Sequence, residues 1–254
     1  MSTEHVVPKW ARKLLEPLKP TPFRVHAGEE PGADQRRKIA QMLHLSVVIV
    51  DSVCRQCNNG FLARLERRTS RVLAPMIQTA RHTTLDAHEQ ALVATWATKT
   101  VWLLEIAVRQ MFPGDRPIEG YLASEVELAW LWKKDEPPPR TLVWMAAWDC
   151  ERNVPMRYEP SGASLPTPSG VLHPGHTTTF SLGYVAFQVF STNFVAAEHQ
   201  GAVLWNTRPP ASLASSILRI WPSLQQTVEW PGTMLGRDEW TRLIQWDGKL
   251  RPLA

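Results

Sequence analysis

The stretch from Asp86 to Met111 constrains the fold more than any other. "DAHE" (86–89) has the form of a capping box, with Asp86 and Glu89 able to satisfy each other's backbone N–H groups. Behind it, Ala91, Val93, Ala94, Ala97, Val101, Leu104 and Val108 leave little polar face over some 25 residues. A helix this apolar has to be surrounded by other elements, so it belongs inside the molecule. Trp96 and Trp102 read as packing residues of that helix. Lys99 and Glu105 interrupt it too often for a membrane span.

The rest of the chain is organised around that helix. A second helix is expected from Gly60, with Leu62, Leu65, Thr69, Val72, Leu73 and Met76 on one face. Arg64, Arg67, Arg68 and Arg71 lie opposite, and Pro75 ends or kinks it. A further helix runs from about Ser124 to Lys134, before the breaker "DEPPPR" (135–140). The second half changes character. "TLVWMAAWD" (141–149), "TTTFSLGYVAFQVF" (177–190), "AVLW" (202–205) and "SILRIWP" (216–222) are β-branched and aromatic and are separated by Pro and Gly. They predict a mostly antiparallel sheet, closed by a last helix at 237–246. "HLSVVIVDSV" (44–53) predicts a strand running into Cys54. The fold class is α+β.

Charge and cysteines narrow the function classes. Residues 1–75 hold 13 Lys and Arg against 7 Asp and Glu, whereas the remainder holds 15 against 17. The basic excess lies in the N-terminal third, as polyanion binding would require, although on charge alone a solvated basic face is the preferred reading. Three cysteines, Cys54, Cys57 and Cys150, without an apolar leader, predict a reducing, cytoplasmic setting rather than a disulfide framework. No Gly-rich phosphate loop and no G-x-S-x-G elbow is present.

"VCRQCNNGFLARLE" (53–66) carries the chemistry. Cys54-x-x-Cys57 is half of a zinc site, since structural zinc takes four ligands. Cys150 is distant, and neither His26 nor His44 is favoured by spacing. The pair therefore reads as half of a zinc site, as the rim of a catalytic metal site, or as a turn. Upstream, "TEHVVPKW" (3–10) places an acid directly before a histidine. A carboxylate holds a hard cation, and an imidazole takes a proton near neutral pH. An amide from Asn58 or Asn59 at the start of the following helix can reach the same cation. Both asparagines also suit a plain helix N-cap.

"EHVVPKW" followed by "VCRQCNNGFLARLE" resembles the HNH endonuclease superfamily, in particular small bacterial and phage proteins with a Cys-Asn-Asn-Gly motif. The resemblance covers residues 4–66 at most. A Trp-rich long helix, the "GYVAFQVF" strand and the repeated "WP" (221–222 and 230–231) look similar too, but fix no chemistry. The resemblance implies a ββα-metal region over 1–80, followed by a helical segment and antiparallel β-rich domain over 81–254. It implies hydrolysis of phosphodiester bonds in DNA with one Mg²⁺ or Mn²⁺. Glu4 and Asn58 would be metal ligands, His5 the general base, and Asn59 a catalytic residue that orients the base or replaces Asn58. Cys54 and Cys57 would belong to a zinc knuckle whose ligand set is incomplete. Arg64, Arg67, Arg68 and Arg71 would face nucleic acid. The chain departs from the pattern in having no Cys-x-x-Cys before Glu4. Ile49 also stands where the middle asparagine is expected, with Asp51 the nearest polar residue. The alternative is a catalytically degenerate nucleic-acid-binding or protein-interaction module. Glu66 is expected to pair with a basic side chain, and His173 and His176, flanking a Pro-Gly turn, to face water.

Overall fold

The computed structural model describes residues 2–15, 23–25, 41–43, 49–111, 123–149, 156–166, 172–192, 209–222 and 225–245. His26, His44, Cys150 and the strand expected at 202–205 lie outside them, as do residues 44–48.

The N-terminal part begins with β1 (Ser2–His5) and α1 (Lys9–Leu15), then β2 (Phe23–Val25), β3 (Gln41–Leu43) and β4 (Ile49–Val53). Next comes an unbroken helical run: one turn, α2 (Arg55–Cys57), a π-helical segment (Asn58–Leu62), and α3 (Ala63–Thr79). The amphipathic reading of α3 holds, with Leu65, Thr69, Leu73, Met76 and Ile77 buried. Pro75 sits inside the helix, which continues to Thr79 and ends at Ala80 in the left-handed region (φ 51°).

The helical middle consists of β5 (Thr83–Asp86), α4 (Ala87–Met111) and α5 (Glu125–Lys134). The capping box at Asp86 and Glu89 forms in both directions, at 2.8 and 3.2 Å. Ser124 caps α5 in the same way with Glu127. Trp96 and Trp102 are buried in α4. So are Thr95, Thr98 and Thr100, whose hydroxyls donate to carbonyls one turn back at 2.7–2.9 Å. Among the described residues no helix is long and apolar enough to cross a membrane.

The C-terminal part holds β6 (Leu142–Ala147), β7 (Met156–Pro166), β8 (Leu172–Leu182), β9 (Val185–Thr192), β10 (Ile217–Trp221), β11 (Thr227–Trp230) and α6 (Arg237–Gln245). Seven strands form one sheet in the order β10-β6-β9-β8-β7-β2-β3. All its pairings are antiparallel except β2 with β7. The expected antiparallel sheet is present, with one parallel neighbour contributed by the N-terminal part. β1–β4 and β5–β11 are separate antiparallel pairs.

Why β6 and β9 read as near-continuous apolar runs is now plain: both are buried on both faces. Val143, Met145, Ala147, Val185, Phe187 and Val189 join the core around α4. The alternate residues Leu142, Trp144, Ala146, Ala186 and Phe190 join a second core with Trp240 and Leu243 of α6. Side chains of a strand alternate between faces, so this sheet is covered by a helix on each side. The main core runs from Val6 to Trp230, and the packing is therefore continuous across the boundary expected at residue 80.

One glycine is required by close approach. At Gly183 (φ +52°), in the β8–β9 turn, an added Cβ would sit 2.2 Å from the Ile77 carbonyl oxygen. The Tyr184 N–H donates to that same carbonyl at 3.1 Å, fastening the sheet to the end of α3.

Candidate metal site

β1 brings the acid–histidine pair into place. It runs antiparallel to β4, with Glu4 opposite Val50 and His5 opposite Ile49. Val6 and Val7 follow with no exposed surface. The segment is thus held by strand pairing and by burial. The position where the resemblance expects the middle asparagine, Ile49, stands across from His5 in this register.

β4 then delivers Cys54, from which the helical run starts. The Cys54 carbonyl accepts from Asn58 N–H at 2.9 Å, and the Cys54 sulfur accepts from Cys57 N–H at 2.9 Å. Cys54 and Cys57 are joined as a disulfide. A cysteine binds zinc as its thiolate, so the expected knuckle would need the reduced pair. Asn58 and Asn59 occupy the π-helical segment directly after it. π-helical turns inside α-helices occur frequently at functional sites.

These parts meet. Glu4, His5, Asn58 and Asn59 line one open cavity of about 570 Å³, together with Pro8, Lys9, Trp10, Lys13, Ala63 and Glu66. Glu4 and His5 are half-buried, Asn58 is half-buried and Asn59 exposed. The Asn58 side chain hydrogen-bonds to Glu4. An ionised carboxylate only accepts, so the amide must donate through Nδ2 and keep its oxygen as the acceptor end.

The electrostatics follow from burial. Removal from water raises the Glu4 carboxyl above its usual value; Lys99 opposes this, Glu66 adds to it, and the Asn58 bond opposes it. Burial also lowers the His5 imidazole below its ordinary 6.5, helped by Arg12. His5 is therefore neutral at pH 7, the state a general base needs. Its Nδ1 is buried without a hydrogen-bond partner among the described residues.

The floor of the cavity is a charged knot. Glu66 Oε2 accepts from Trp10 Nε1 at 2.8 Å and from Trp96 Nε1 at 3.0 Å, while Oε1 takes the Lys99 ammonium. This agrees with the expectation that Glu66 pairs with a basic side chain. With three donors on it, Glu66 is ill placed to be a ligand.

The donor set suits a hard cation. Glu4 supplies a carboxylate and Asn58 an amide oxygen, and Mg²⁺ is commonly held by one or two carboxylates with the remaining positions taken by water and phosphate. Among the described residues no group of three or more His, Cys, Asp and Glu converges as an all-protein cage. A cation here would lean on solvent or substrate for most of its ligands. No family model, curated protein or solved structure matches this chain.

The basic residues divide between the cavity and the face of α3. None of Arg64, Arg67, Arg68 and Arg71 lines the cavity. Arg68 is engaged by Asp135 in an ion pair and by His88 Nε2 at 3.1 Å. Lys9 and Trp10, which close the quoted "EHVVPKW" but were given no role there, and Lys13 beyond it do line the cavity. Their only sequence signal is proximity to Glu4 and His5 behind Pro8.

His176 does not face water. It is 1% exposed, and its Nε2 lies 2.7 Å from Glu105 Oε1 and 2.7 Å from Thr178 Oγ1. The Pro-Gly dipeptide beside it lies within β8, paired with β7, rather than in a turn. The polar cluster therefore sits between α4 and the sheet.

Proposed function

We propose that the protein is a metal-dependent endonuclease of HNH type, cleaving phosphodiester bonds in DNA. The observation that carries the reading is that Glu4 and His5 share one cavity with Asn58 and Asn59, over fifty positions away in sequence. The order antiparallel strand pair, then helix, around that cavity supports a ββα-metal arrangement of the region.

In this reading Glu4 and Asn58 would hold one Mg²⁺ or Mn²⁺, which would supply charge stabilisation for the leaving oxygen. Neutral His5 takes a proton from water as its oxygen attacks phosphorus. The P–O ester bond breaks, and the departing oxygen is protonated from solvent. Asn59, at the rim, orients the attacking water or the phosphate. A zinc-bound form of Cys54 and Cys57 belongs to this reading only with the pair reduced.

Plasmid nicking tests it. Wild type with Mg²⁺ or Mn²⁺ should relax supercoiled DNA, whereas His5→Ala should lose at least about 100-fold, the usual scale of general-base catalysis, and Glu4→Gln should lose activity by losing the cation. Equal rates for wild type and His5→Ala would end the proposal. The second reading, a DNA-binding module without hydrolysis, is favoured by Ile49 standing where an asparagine is expected. It would show DNA binding with no cutting in any variant.

A further inference from the structure

We propose that Lys9 and Lys13 are the phosphate-binding edge of this cavity, so that α1 rather than the arginine face of α3 takes up the polyanionic substrate. The inference deepens the nuclease reading and rests on it for the identity of the ligand.

Three observations and one property of lysine converge. Lys9 and Lys13 line the same cavity as Glu4, His5 and Asn58. They are four residues apart on one helix, which places their Cβ atoms about 5–6 Å apart on one face. Both are exposed, and neither enters an ion pair among the described residues. A lysine ammonium on a flexible stem is a point charge that suits phosphate without demanding one orientation.

The frame beneath them is rigid. Between the two lysines, Trp10 is pinned by its Nε1 to Glu66 and packs on Trp96 with ring centres 6.1 Å apart. Ala11 and Leu15 of the same helix are buried. Thus α1 cannot roll away from the cavity, and its lysines stay on the rim. The acidic groups nearby do not cancel them. Glu66 is already matched by Lys99, and Glu4 is the group assigned to the cation.

The α3 arginines differ in the property that decides: none of them lines the cavity. Arg68 is engaged by Asp135. Arg64, Arg67 and Arg71 are exposed on the far side of the helix from its buried face and contribute nothing to the cavity wall.

Counterion release gives the test. Binding of a fluorescein-labelled DNA duplex is followed by anisotropy over a range of NaCl in the presence of Mg²⁺. The proteins compared are His5→Ala, which prevents cutting, His5→Ala with Lys9→Gln and Lys13→Gln, and His5→Ala with Arg64→Gln, Arg67→Gln and Arg71→Gln. Each phosphate contact contributes about 0.9 to the slope of log K against log salt on duplex DNA. The lysine variant should lose nearly two units of slope and bind at least tenfold more weakly at low salt. The arginine variant should keep the parent slope. The proposal is overturned by an unchanged slope in the lysine variant, by a larger loss in the arginine variant, or by no binding in the parent. Nicking by the wild type is scored separately. Lost slope without nicking retains the phosphate edge and removes the nuclease; nicking with an unchanged slope does the reverse.

Discussion

The carboxylate of Glu66 and the ammonium of Lys99 form an ion pair directly beneath the candidate site, with Lys99 only 3% exposed and Glu66 13%. Two indole N–H groups complete the coordination of Glu66. The pair joins α3 to α4 and sets the depth of the cavity floor.

Removing one partner of such a pair strands the other in a poorly solvated place. Lys99→Met should therefore cost about 3–5 kcal/mol of stability. Lys99→Met with Glu66→Gln should recover most of that, because the remaining amide is neutral. Urea unfolding midpoints of the single and double variants measure the difference.

Glu4 makes a prediction with a definite sign. Its folded carboxyl is raised, mainly by burial. Between the unfolded and folded values the native state binds more protons, so stability falls as pH rises through that window. Glu4→Gln removes the fall, and should melt higher than wild type at pH 7 but at the same temperature below the unfolded carboxyl value. Added Mn²⁺ should raise the wild-type melting temperature and leave Glu4→Gln unmoved.

His5 behaves in the opposite sense. Its folded value is lowered, by burial and then by Arg12. The unfolded chain binds the proton more readily, so this contribution to stability is complete above pH 6.5 and is lost as pH falls through the window below it. The acid limb of the cleavage-rate profile should bend below 6.5. Arg12→Gln should move the bend upward, towards the ordinary imidazole value, in a pH series of single-turnover nicking rates.

Gly183 tests the link between the sheet and α3. Gly183→Ala would drive a methyl into the Ile77 carbonyl at a residue with φ +52°. The strain of a left-handed non-glycine residue alone is about 1–3 kcal/mol, and the clash adds to it. Thermal melting should show the loss.

Where the sequence carried a strong period or a cap, it was readable. α4 follows from its apolar run and the Asp86–Glu89 box, and β6 and β9 from β-branched and aromatic density. The meeting of residues 4–5 with 58–59 was legible as what the resemblance carried by two short motifs implies. Other parts were hidden for physical reasons. β7 and the start of β8 contain Pro160, Pro166, Pro174, Gly162 and Gly175, which argue against strands until the neighbours that pair with them are known. His176 looked exposed because of that same Pro-Gly step. Lys9 and Lys13 resemble any solvated lysine pair, and only the return of α3 beside α1 puts them on a rim. The cysteine pair is compatible by spacing with either a knuckle or a bridge.

The π-helical segment at Asn58–Leu62 has one further consequence. An i→i+5 turn carries one residue more than its α-helical equivalent, so it offsets everything before it by about 100° around the axis. The angular position of the asparagines is thereby uncoupled from the apolar stripe that seats α3. Excising Gly60 would return the segment to ordinary α geometry, leave Leu65, Leu73 and Met76 in their seats, and swing the two amides out of line with Glu4.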